Sequence, residues 1–66
     1  MREFKDRLRA AMAVSGINSA ELARRCELAE SNVSHFLTGQ RKPGIDNLAK
    51  LLAALPSVDA RWLVCG

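Results

Sequence analysis

The sequence INSAELARRCELAESNVSHFLT, residues 17–38, decides the fold of this chain. Apolar residues recur in it in two sets, Leu22, Ala23 and Cys26, and then Val33, Phe36 and Leu37. Spacings of three and four residues put each set on one stripe of a helix. The pattern predicts two short helices joined by a tight turn.

The second of these helices also carries a set of polar residues, Glu30, Ser31, Ser34 and His35. We expect them to point outward together, because the apolar stripe takes the other side. A basic loop, GQRKPG at residues 39–44, follows directly. A short helix with small polar side chains beside basic residues is typical of proteins that read the major groove of DNA.

Local signals set the bounds of the two helices. Asn18 precedes Glu21 by three positions in a capping-box arrangement, with Ile17 and Leu22 at the positions of a hydrophobic staple. We expect the first helix of the pair to end near Cys26 or Glu27, and Leu28 to plug the turn. The second should begin within residues 29–31 and end near Gly39, where a left-handed conformation is easy.

The N-terminal segment predicts one more helix, which Gly16 ends. Its apolar face consists of Phe4, Leu8, Ala11, Met12 and Ser15. Its charged face consists of Arg2, Glu3, Lys5, Asp6, Arg7 and Arg9.

The C-terminal part predicts two further helices. The first is defined by Ile45, Leu48, Ala49, Leu52 and Leu55. Asp46 lies near its positive end, and Pro56 closes it. Asp59 is positioned to cap a last short helix that brings Trp62 and Leu63 inward. We find no strand pattern or repeat, so the fold class is all-α: a compact bundle of about five short helices.

Length and composition suit one domain over residues 1–66. A chain of this size buries only about 60% of its unfolded surface. Two cysteines and one histidine fit neither a disulfide scaffold nor a usual zinc pattern, and they favour a reducing cytosol. The N-terminus lacks the apolar run of a signal peptide or membrane span. The net charge is +3 and the pI is near 9.4. This excess of positive charge favours a nucleic-acid partner only if the basic residues cluster on one face.

Four groups of residues carry a resemblance to a known family: Glu21-Leu22-Ala23, Val33-Ser34, Gly39 with Arg41-Lys42-Pro43, and Trp62-Leu63. Together they resemble the lambda-repressor-like, Cro/cI-type helix-turn-helix domain over nearly the whole chain. Three positions depart from the family pattern. Ser19 stands where Gln is frequent, Glu27 where the turn usually has Gly, and Ala29 where Ser or Thr usually caps the recognition helix.

The resemblance implies binding to double-stranded DNA, with the helix around residues 30–38 in the major groove. It implies that Glu30, Ser31, Ser34 and His35 read bases. The phosphate contacts that it implies are Ser19, Asn32, Thr38, Gln40, Arg41 and Lys42. It further implies a homodimer on a pseudo-palindromic operator, through an interface of Leu55, Pro56, Val58, Trp62 and Val64. The expected function is Cro-like or repressor-type occlusion of an operator in a bacterial or phage-infected cytoplasm, without cofactor, metal or small-molecule ligand.

Plainer interpretations remain open. Glu30 also suits a helix start by dipole complementarity, and His35 also suits a solvated surface. An enzyme is the weakest alternative, because the chain has one His, no Tyr and no Gly-rich phosphate loop. A protein-interaction module or antitoxin-like partner using the same fold is the stronger alternative. The chain is either a complete Cro-like protein or part of a longer repressor.

Overall fold

The computed structural model describes residues 3–66 and contains five helices and no strand in that range. The helices are α1 (Phe4–Ser15), α2 (Ser19–Cys26), α3 (Glu30–Thr38), α4 (Ile45–Ala54) and α5 (Ala60–Cys65). The all-α prediction is confirmed. The predicted helix ends at Gly16, Cys26 and Gly39 are confirmed too. Arg2, predicted on the charged face of the first helix, lies outside the described residues.

One hydrophobic core joins the helices. Its largest fully buried side chains are Leu8, Leu22, Val33, Leu51, Leu55 and Leu63. α1 packs on α3 and α5, and α2 packs on α3 and α4. The predicted plug residue Leu28 and the staple residue Ile17 are half-buried against this core. α3 is thereby fixed between α1 and α2 by its inner face.

Arg7 is a correction to the predicted charged face of α1, because its side chain is only 6% exposed. Position 7 lies three residues after Phe4 and four before Ala11, so helical spacing puts it at the edge of the apolar stripe. The guanidinium reaches the end of α5, where Nε donates to the carbonyl oxygen of Leu63 at 2.9 Å. Burial is tolerated because the cation meets carbonyl oxygens at the negative end of a helix.

The predicted apolar face of α4 is wrong in part. Ile45 is 87% exposed and Ala49 is exposed, whereas Leu51 is completely buried. Most of the helix is apolar, so periodicity fits more than one stripe. Packing against α2 selects the stripe, as two side-chain contacts show: the Cys26 thiol lies 3.6 Å from the carbonyl oxygen of Lys50, and Arg25 Nη1 donates to that of Ala54 at 3.5 Å.

Candidate nucleic-acid interface

The start of α2 is stabilised by the predicted cap. The Asn18 side-chain oxygen accepts a hydrogen bond from the backbone N–H of Glu21 at 2.8 Å. The Glu21 carboxylate turns the other way and pairs with Arg24 and with Arg25, whose Nε lies 2.9 Å from it. Hydrogen bonds from these two guanidinium groups lower the pKa of Glu21, Arg25 having the larger effect. The helix thus carries its two arginines in ion pairs on an exposed face.

The turn between α2 and α3 is closed by Glu27 in a left-handed conformation, with φ of 57°. The N–H of Leu28 bonds to the carbonyl oxygen of Ala23 at 3.0 Å, and that of Glu27 bonds to Arg24 at 3.2 Å. This pattern ends a helix with a sharp change of direction. Among the described residues, Glu27 is the only one other than glycine with a positive φ. This backbone conformation costs a residue with a Cβ atom about 1–2 kcal/mol.

α3 has one buried face and one exposed face, as the spacing of its apolar residues predicts. Val33 and Phe36 are buried, whereas Glu30, Ser31 and Ser34 are exposed. No side chain caps the first turn of α3, because Ala29 offers no acceptor. The exposed face therefore combines three short polar side chains with an uncapped helix start.

His35 lies at the edge of that face and is half-buried. Its Nδ1 atom is buried, with no hydrogen-bond partner among residues 3–66. Its carbonyl oxygen accepts from the Thr38 hydroxyl and from the N–H of Arg41, each at 3.2 Å. His35 is therefore less exposed than the other three predicted base readers.

The loop after α3 carries the exposed cations Arg41 and Lys42. The Arg41 N–H bond to His35 ties the loop back onto α3. An open groove of about 550 Å³ adjoins the loop, with Lys5, Arg41 and Lys42 around Phe36 and Leu48. Lys5 is paired with Glu3 at 3.5 Å, so Arg41 and Lys42 supply the positive charge of the loop after α3.

The other predicted phosphate contacts differ in accessibility. Thr38 and Gln40 are exposed, and Ser19 and Asn32 are half-buried. Ser19 is the first residue of α2, and Asn32 is in the first turn of α3. Asn32 thus lies near the start of α3, Thr38 and Gln40 lie at or just after its end, and Ser19 lies at the start of α2.

The predicted dimer surface loses Leu55, which is 1% exposed and belongs to the core. A side chain buried by its own chain cannot offer that area to a partner. Val58 and Trp62 are half-buried against the core, whereas Pro56 is exposed and Val64 is 39% exposed.

Sequence reasoning missed two contacts of α1 with α3. Arg9 donates to the carbonyl oxygen of Leu37, and the stem of Lys5 lies against Gly39. The sequence predicts only a charged face for both residues, since contacts between residues this far apart in the chain leave no local pattern.

The described residues also bear on metal ligands, membrane-spanning helices and the two cysteines. Residues 3–66 contain no group of three His, Cys, Asp or Glu side chains able to hold a metal ion. None of the helices described is both long and apolar enough to cross a membrane. Cys26 is buried, which raises the pKa of its thiol, and Cys65 is exposed.

Comparison with known proteins supports the resemblance seen in the sequence. A family model described as helix-turn-helix matches residues 8–63. No curated protein and no solved structure matches the chain. The matched range spans most of the chain and includes α2, the turn at Glu27 and α3. The chain belongs to the lambda-repressor-like helix-turn-helix family, a family of DNA-binding regulators.

Proposed function

We propose that this protein regulates transcription by binding a specific operator in double-stranded DNA as a homodimer. α3 enters the major groove, where Glu30, Ser31, Ser34 and His35 contact base edges. Occupation of the operator by the dimer blocks the polymerase. The protein acts in the cytoplasm of a bacterial or phage-infected cell.

The observation that carries this proposal is the exposed polar face of α3, which the exposed cations Arg41 and Lys42 follow directly in the chain. A carboxylate such as that of Glu30 accepts from cytosine N4 and penalises other bases. Serine hydroxyls both donate and accept, so Ser31 and Ser34 adjust to their neighbours. The loop cations neutralise phosphates and fix the register of the helix. Ser19, Asn32, Thr38 and Gln40 complete the backbone contacts.

The dimer supplies affinity that one short helix lacks. In this class of protein two recognition helices enter successive major grooves about 34 Å apart. The surface proposed for pairing consists of Pro56 and Val64 with the exposed parts of Val58 and Trp62. Leu55 supports that surface from inside the core.

The test is selection of bound fragments from random duplex DNA, followed by titration of the selected site at several salt concentrations. Lys42→Ala should weaken binding about tenfold and reduce the slope of log K against log salt by about one. Arg61→Ala is the matched control, since it removes an exposed cation from α5. Its effect on affinity and slope should be small.

Base reading is tested by Ser34→Ala and Glu30→Gln in the same selection. Each should change the preferred base at one position of the half-site, because the lost group contacts a base edge. A selection that yields no preferred sequence would contradict specific recognition. Capture of another protein by the α3 face, with no DNA footprint, would favour an interaction module instead.

A further inference from the structure

Two cations of α1 reach the C-terminal end of α3. Arg9 donates to the carbonyl oxygen of Leu37 from Nε at 3.1 Å and from Nη2 at 2.9 Å. Lys5, one helical turn earlier, lies so close to Gly39 that an added Cβ there would be 3.0 Å from its Cδ. Both side chains therefore meet the last turn of the proposed recognition helix.

This end of α3 is closed differently from the ends of α1 and α2. In those helices the backbone bonds to itself, as from Ile17 to Met12 at 3.1 Å and from Leu28 to Ala23 at 3.0 Å. Among the described residues the amide of the α3 cap residue, Gly39, makes no such bond. The carbonyl oxygen of His35 accepts instead from the N–H of Arg41, further along the loop, and the carbonyl oxygen of Leu37 receives the Arg9 guanidinium. A cation suits this position, where the helix dipole is negative.

The contact with Arg9 bears on the orientation of α3 and on the position of the loop that follows it. The first turn of α3 has no side-chain cap, so the orientation of the helix depends on burial of Val33 and Phe36 and on contacts at its C-terminal end. The loop that carries Arg41 and Lys42 begins at the same end and bonds back to His35. Movement of the last turn therefore displaces the base-reading face and the loop cations together.

We propose that Arg9 is a positioning residue for DNA recognition: it holds the last turn of α3 through Leu37 and contacts no DNA itself. This inference rests on the proposed function of α3. It predicts that loss of the Arg9 side chain weakens binding without removing a phosphate contact.

The experiment compares Arg9→Gln and Arg9→Lys with the unchanged protein. Affinity for the selected DNA is measured at several salt concentrations, and amide hydrogen exchange is measured on the protein alone. Arg9→Gln should weaken binding about tenfold with an unchanged salt slope, and exchange should rise at residues 37–41. Arg9→Lys should recover part of the affinity, because a single ammonium can replace one of the two hydrogen bonds.

Two controls separate positioning from charge and from stability. Arg61→Gln removes the same charge from an exposed site on α5. Leu63→Val weakens the core while leaving the Arg9 contact in place. All titrations are made well below the unfolding temperature, so both controls should bind almost normally.

Several results would overturn the inference. A salt slope smaller by about one in Arg9→Gln would make Arg9 a phosphate contact. Unchanged affinity in Arg9→Gln would remove its positioning role, as would equal weakening in Leu63→Val. Failure of the unchanged protein to bind any DNA would instead contradict the proposed function, whatever the exchange data for Arg9 show.

Discussion

The Nε atom of Arg7 donates a hydrogen bond to the carbonyl oxygen of Leu63 at 2.9 Å, which joins the first helix to the last across 56 residues. Nη2 of the same side chain donates to the carbonyl oxygen of Val64 at 3.1 Å. α5 has only six residues, so little in the helix itself keeps it formed. Arg7, which belongs to α1, bonds to carbonyl groups at the C-terminal end of α5, and its side chain is almost completely buried.

We predict that Arg7→Met destabilises the fold by about 2 kcal/mol, the usual size of a lost hydrogen bond to a charged group. The unfolding temperature should fall by about 10 °C in a domain of this size. Thermal unfolding followed by circular dichroism measures this change. Arg61→Met on the exposed side of α5 should shift stability by less than about 0.5 kcal/mol. Equal stability of the two variants would mean that Arg7 does not hold α5.

The orientation of α4 gives a second prediction. Leu51→Ala should cost about 2–5 kcal/mol, because Leu51 is fully buried. Ile45→Ser should leave stability within about 0.5 kcal/mol of the unchanged protein, since Ile45 is 87% exposed. Denaturant unfolding of both variants compares the two faces directly. A larger cost at Ile45 than at Leu51 would restore the face predicted from periodicity.

The turn at Glu27 gives a third prediction. Glu27→Gly should stabilise the protein by about 0.5–1 kcal/mol, because glycine adopts the left-handed conformation without a steric penalty. Glu27→Ala removes the same charge but keeps the Cβ atom, so it should give no comparable gain. Thermal unfolding of both variants separates conformation from charge. A similar gain from alanine would attribute the effect to the lost carboxylate.

Acid should weaken α2 through Glu21. Arg25 and Arg24 lower the pKa of this carboxyl in the folded protein, so its stabilising contribution is present above the ordinary glutamate pKa. That contribution is lost as the pH falls from the ordinary range through the lowered value. Glu21→Gln lacks the titrating group, and its stability should therefore depend less on pH in this window. Parallel pH profiles of the two proteins would show that the ion pairs contribute nothing.

Much of the architecture follows from short-range patterns. The cap at Asn18 and the left-handed positions at Gly16 and Gly39 act within a few residues, so helix bounds can be predicted from neighbours alone. The division of α3 into a buried face at Val33 and Phe36 and an exposed face also follows from spacing. The family and its DNA-binding role were implied by a resemblance in short motifs such as Glu21-Leu22-Ala23, which also needs no coordinates.

Contacts between residues far apart in the sequence determined the buried face of α4 and the roles of the α1 cations. Periodicity could not place Ile45, because α4 is apolar on most sides and only packing against α2 selects the buried stripe. The contacts of Arg7 with Leu63 and of Arg9 with Leu37 link helices that are far apart in the sequence. The partner of such a charged side chain is known only once both helices are placed in the fold. The sequence by itself therefore determined which helices form and which face of α3 is polar, since these depend on local backbone geometry. Tertiary structure alone decided how those helices are held, because that depends on which carbonyl groups the fold brings within reach of the α1 cations.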